Sequence, residues 1–158
     1  AFCNTNDAIV LRQVLNDYDQ ETHDFYRWTV RYDQDELSKL VYERTAIDFG
    51  QITDLIPLTR GTSGRVTRLQ IVGTKCSMII GKELEIRKAL SKSHLYSSAF
   101  IVEKKSEDDS IIFTLKGAGW GHGVGLCQIG AAVMGSKGYS YVQILEHYFR
   151  GATLNKRY

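Results

Sequence analysis

No run of about 18 consecutive apolar residues occurs in the chain, so no segment is built to span a membrane as a helix. Clustered cations are missing too. Lys and Arg are spread along the sequence and the formal net charge is only +2, too small to imply a nucleic-acid partner. The three cysteines, Cys3, Cys76 and Cys127, lie far apart with no C-x-x-C. That removes a zinc spacing, and the odd count argues against a complete disulfide framework, although one bridge or a shared metal stays open. No initiator Met or signal peptide begins the chain. It opens at Ala1-Phe2-Cys3 as though cut from something longer, so its N-terminus does not reveal a compartment. A P-loop lysine is absent, and no register of the glycines near residue 120 gives G-x-G-x-x-G. No nucleotide, cofactor or metal is therefore expected.

What the sequence does have is 158 residues at 43% hydrophobic composition, enough for one good core and most simply a single domain. It also has an unusual segment, Gly117-Ala118-Gly119-Trp120-Gly121-His122-Gly123-Val124-Gly125-Leu126-Cys127-Gln128-Ile129-Gly130. Glycine fills every odd position from Gly117 to Gly125. As an extended strand it would carry no side chains on one face and Ala118, Trp120, His122 and Val124 on the other. A bare backbone face allows close approach and repeated Gly permits bends closed to other residues, so the segment serves either a packed aromatic or a bulged turn inside the protein, or a substrate groove floored by backbone. From Val124 to about Lys137 the period turns helical, with Leu126, Ile129, Val133 and Met134 at spacings of three and four. His122 then falls in the strand-to-helix turn and Gln128 in the first helical turn. Unpaired N–H groups and the helix dipole favour an anionic or carbonyl group there.

Residues 7–18 read as a helix capped by Asn6 or Asp7, with Leu11, Val14, Leu15 and Tyr18 as its stripe. Phe25 to Tyr32 alternates as an aromatic strand, and Asp33-Gln34-Asp35-Glu36 looks like a capping box before Leu37, Leu40 and Val41. Gly50 to Thr59 is a strand with Pro57 marking an edge or bulge. The turn Arg60 to Arg65 joins it to Val66–Val72 as a hairpin. Ser77 to Ile80 adds a strand ending at Gly81, and Lys82 to Ser91 is helical. A second hairpin pairs Phe100–Val102 with Ile111–Leu115 across a charged loop from Lys104 to Ser110. Ser140-x-x-Gln143 caps a final helix with the stripe Tyr141, Ile144, Leu145 and Tyr148. Without regular β–α alternation the class is α+β: an antiparallel sheet of hairpins with packed helices and a helical C-terminus.

The glycine segment through Ala131 resembles the hallmark of the stage II sporulation protein D / amidase-enhancer family. The likeness continues through Met134, Gly138-Tyr139, Ile144-Leu145, His147-Tyr148 and Gly151. Ser63-Gly64-Arg65-Val66 and Ser97-Ser98-Ala99-Phe100 resemble it more loosely, and residues 1–48 hardly at all. Cys127 stands where the family usually has Ser, and Arg150 where Pro is common. The resemblance implies the C-terminal portion of a bacterial cell-wall protein working outside the cytoplasm. Its partners would be peptidoglycan glycan strands and, by the amidase-enhancer branch, a wall amidase. Sporulation members are lytic transglycosylases acting on strands that lack stem peptides. Their general acid is a Glu N-terminal to everything matched here, so it is expected upstream of residue 1.

The candidate substrate contacts are His122, Gln128, Trp120, Arg65, Gly121 and Gly123. His122 would bind or polarise a sugar N-acetyl group, or serve as a hydrogen-bonded structural histidine. Gln128 would bond substrate or cap the turn. Trp120 would stack on a sugar ring or be buried, and Arg65 would hold carboxylate or carbonyl groups. Cys127 beside His122 suggests a thiol nucleophile, but no base–orienter pair accompanies it. Tyr148 belongs to the final helix's apolar stripe, His147 to its edge, and Glu146 to its solvated face.

Overall fold

A computed structural model describes residues 1–15, 26–107 and 110–155. The chain divides into two compact units, Ala1–Tyr26 with Gly123–Tyr158, and Arg27–His122.

Among its described residues the second unit holds six strands in two antiparallel three-stranded sheets. Strand β1 (Arg27–Asp33) pairs with β6 (Ser110–Ala118), and β6 pairs on its other side with β5 (Phe100–Glu107). The other sheet runs β2 (Ile52–Arg60), β3 (Val66–Gly73), β4 (Ser77–Gly81). The α+β class with hairpin-built antiparallel strands is as expected, but there are two sheets where one was anticipated. In β1 the alternation works as read: Trp28 and Tyr32 are buried, and Arg27, Thr29 and Arg31 are exposed. Pro57 lies in the edge strand β2 beside a register shift, the setting in which a missing N–H leaves no gap in the ladder.

Helix α2 (Gln34–Thr45) starts where Asp33 Oδ1 accepts from the Glu36 N–H at 2.7 Å, and it buries Leu37, Leu40 and Val41. Helix α3 (Glu83–Ala89) buries Ile86, Arg87 and Ala89. Both helices join Phe49, Ile52, Leu55, Leu69, Ile71, Phe100, Phe113 and Leu115 in one core drawn from both sheets. The anticipated loop from Lys104 to Ser110 is mostly strand. β5 runs to Glu107, and its lysines stand exposed on an edge strand. Charge there keeps the edge from pairing with another chain, so a polar run did not signal a loop.

In the first unit, α1 (Ala8–Leu15) is capped by Asp7, whose Oδ1 accepts from the Ile9 and Val10 N–H groups at 3.0 and 3.2 Å. Val10, outside the expected stripe, is the buried residue. Tyr18 and Phe25 lie outside the described residues. Helix α4 (Gln128–Ser136) packs on α1 and buries Ile129, Val133 and Met134, while Leu126 precedes the helix and is exposed. Helix α5 (Tyr141–Tyr148) carries the full capping box foreseen for Ser140 and Gln143. Tyr141 is 72% exposed rather than part of an apolar face. It sits in the first turn, where Val142, Ile144, Leu145 and Tyr148 are the half-buried side. Among the described residues no helix is long and apolar enough to cross a membrane.

Candidate functional site

Strand β6 is the central strand of its sheet, and it ends at Ala118 instead of continuing through the glycines. Gly117 is its last core position. Trp28 and Phe100 are its register partners on either side, and the Trp28 ring lies across the place a β-carbon would occupy. The first glycine therefore serves a packed aromatic of the protein itself.

The next four glycines do something different. Gly119, Gly121, Gly123 and Gly125 have φ of 74°, 71°, 68° and 91°. This is left-handed backbone at every second residue, a conformation that costs an L-residue with a side chain about 1–2 kcal/mol. An extended strand with a bare face is therefore not what the alternation encodes. The helix begins at Gln128, four residues beyond Val124, because the left-handed residues carry the chain to Gly125 before right-handed helix can start.

Within the second unit the loop is held by side chains acting on consecutive carbonyls. Ser97 Oγ donates to Ala118 O at 3.0 Å and Trp28 Nε1 donates to Gly119 O at 3.2 Å. Arg65 donates from Nη2 to Trp120 O at 3.1 Å and from Nε to Gly121 O at 2.9 Å. The Gly121 N–H donates to Tyr96 O at 2.8 Å, and the Ala118 N–H to Ala99 O at 2.9 Å. A run of four carbonyls satisfied in turn leaves this backbone little freedom to rearrange. The half-buried Trp120 ring stacks on Tyr96, with centroids 4.9 Å apart and planes at 25°. Tyr96 in turn packs against Trp28 at 5.7 Å.

The segment from Leu95 to Ser98 that grips the loop is itself fixed by a buried ion pair that the sequence reading did not single out. Arg87 donates from Nε to Leu95 O at 2.6 Å and pairs through Nη1 with Glu83 Oε1 at 3.0 Å. The two side chains are only 9% and 15% exposed. The i,i+4 spacing of Glu83 and Arg87 was visible in the sequence, but such pairs usually lie on solvated faces.

The candidate residues thus fall in distinct places. In the second unit, Trp120 and Gly121 belong to the braced loop, His122 is exposed at its end, and Arg65 grips the carbonyls of Trp120 and Gly121. In the first unit, Gly123 is exposed, and Gln128 is the exposed first residue of α4 after its N-cap, Cys127. His147 and Glu146 are exposed on α5, and the Tyr148 hydroxyl lies over Gly130 of α4. Among the described residues no group of three or more His, Cys, Asp or Glu is arranged to hold a metal.

A family model described as "Domain of unknown function (DUF8618)" matches residues 1–125. The chain belongs to that family. Two curated proteins share part of this member's sequence. It is 38% identical over 80 residues to "Stage II sporulation protein D" of Bacillus amyloliquefaciens, a stretch covering 51% of the chain and 22% of that protein. It is also 38% identical over 60 residues to "Amidase enhancer" of Bacillus subtilis (strain 168), covering 38% of the chain and 8% of that protein. The matched stretches therefore span less than a quarter of either curated relative.

Proposed function

We propose that this chain works in bacterial cell-wall remodelling, outside the cytoplasm, as a module that binds peptidoglycan glycan strands at its glycine loop. In the full-length protein the reaction is lytic transglycosylase-type cleavage of strands lacking stem peptides. The observation that carries the reading is the braced loop from Ala118 to Gly121 with exposed His122 at its end, in a chain similar to a stage II sporulation protein D. A backbone fixed before ligand arrives loses little entropy on binding. His122 is the proposed contact to a sugar N-acetyl group and Trp120 the stacking surface. Gly121 allows close approach of the strand.

In that cleavage a carboxylic acid protonates the leaving glycosidic oxygen, and a hydroxyl of the same sugar attacks the anomeric carbon. The product is an anhydro-ended strand, and no water-activating second carboxylate is needed. The acid is proposed to lie outside these 158 residues. Glu83, in its buried ion pair, serves the loop's scaffold instead. Similarity to an amidase enhancer favours a second reading, in which the module binds the wall and modifies an amidase without cutting glycan.

The test incubates the purified chain with denuded glycan strands, measuring co-sedimentation and, by mass spectrometry, anhydro-ended sugars. Weak binding without product is expected. General acid catalysis is worth about two to four orders of magnitude, and its absence should drop turnover below easy detection. Product formation would place the acid inside the chain, and no binding by folded protein would refute the reading. The same assay on the full-length protein separates transglycosylase from amidase modifier.

A further inference from the structure

Two of the three thiols belong to the first unit, and they touch. Cys3, in the segment before α1, is hydrogen-bonded through its side chain to Cys127, the N-cap of α4. This bond, reinforced by burial, raises the Cys3 thiol well above its usual range. Both side chains are half-buried and both line one cavity of about 610 Å³, with Lys137, His147 and Tyr148 also on its wall. Burial first, and then the neighbouring Cys127 and Cys3 thiols, raise the Tyr148 phenol to about 12, so it stays neutral beside the pair. Cys76 belongs to the second unit, where its Sγ lies 3.6 Å from the Asp48 carbonyl oxygen.

We propose that Cys3 and Cys127 form an oxidisable dithiol that closes to one disulfide within the first unit, with Cys76 remaining a thiol. Cys127 is the attacking sulfur, because an N-cap position lies at the positive end of the helix, which favours a thiolate. Its thiolate attacks one sulfur of a low-molecular-weight disulfide. A protein–small-molecule S–S bond forms and one small thiolate leaves. Cys3 then gives its proton to solvent, its sulfur attacks Cys127 Sγ, and the second small thiolate leaves. The pair loses two electrons and two protons, and the oxidant becomes two thiols. The cavity gives the oxidant access to both sulfurs. The bridge would pin residues 1–5 to the start of α4 and close a loop on the order of a hundred residues, and the restriction a cross-link places on the unfolded chain grows with loop length. It is independent of glycan binding, so its test does not turn on that proposal.

The experiment treats the folded 158-residue chain with oxidised glutathione, alkylates the remaining thiols and maps peptides without reduction. The expected result is a Cys3 peptide joined to a Cys127 peptide, alkylation confined to Cys76, and a rise in Tm of about 5–15 °C that a thiol reductant reverses. Three alkylated cysteines, a link through Cys76, or a stable glutathione adduct on Cys127 would each overturn the proposal. The Cys127→Ser chain should gain no internal link and no Tm on oxidation. A rise of the same size in that variant would show that the stabilisation has another source.

Discussion

Gly121→Ala isolates the backbone conformation of the loop from its packing. A β-carbon at Gly121 meets no atom within 4 Å, so the substitution creates no clash. Its φ of +71°, however, is one that alanine adopts at a penalty of about 1–2 kcal/mol. Alanine also narrows the unfolded ensemble, returning about 0.5 kcal/mol. The net destabilisation is about 1 kcal/mol, or a Tm lower by about 2–4 °C for a chain of this size. Gly135→Ala in α4 provides the control of opposite sign. It too meets nothing within 4 Å and has no positive φ, so alanine should stabilise by about 0.5–1 kcal/mol through helix propensity. Gly121→Asn should fall between glycine and alanine, since asparagine tolerates left-handed backbone. Urea unfolding of the three variants beside the parent makes the comparison. If Gly121→Ala were as stable as the parent while Gly135→Ala gained, the loop would not be held in left-handed backbone, and the account of the alternating glycines would fail.

Arg87→Met should destabilise by about 3–5 kcal/mol, because it leaves the buried Glu83 carboxylate unpaired and Leu95 O without its donor. Adding Glu83→Leu should recover a large part of that loss in chemical denaturation, and no recovery would mean that the pair is not the source. Ser140→Ala should cost about 1 kcal/mol by removing the α5 capping box, visible as a lower Tm. Burial, followed by the charge of Glu36, raises the Tyr32 phenol to about 12 from its ordinary 10.0. The unfolded chain therefore loses that proton first as pH rises, and stability should decline between about pH 10 and 12. Tyr32→Phe, which also loses the 2.7 Å bond to Leu90 O, should flatten that decline, and an unchanged slope would remove Tyr32 as its cause.

The parts of the fold that the sequence made legible are those set by neighbours in the chain. Asp33, the Ser140–Gln143 box, the turn from Arg60 to Arg65 and the alternation of Trp28 and Tyr32 all act over a few residues. The glycine loop misled because alternation at period two is also the signature of a strand. Its actual conformation depends on Trp28, Arg65, Tyr96 and Ser97, which reach it from distant positions and which no local window links to Gly119 or Gly121. The candidate residues Trp120, His122 and Gln128 were picked out by the same segment. What the sequence did not convey was that Arg65 would grip the loop, or that Cys3 would meet Cys127.

The most direct test of the central claim is an amide chemical-shift titration of the labelled chain with soluble denuded glycan fragments. The account predicts saturable shifts concentrated on residues 119–122 and the Trp120 indole, and loss of the His122-centred shifts in His122→Ala. Shifts confined to other surfaces, or none at all from a folded chain at millimolar glycan, would contradict it.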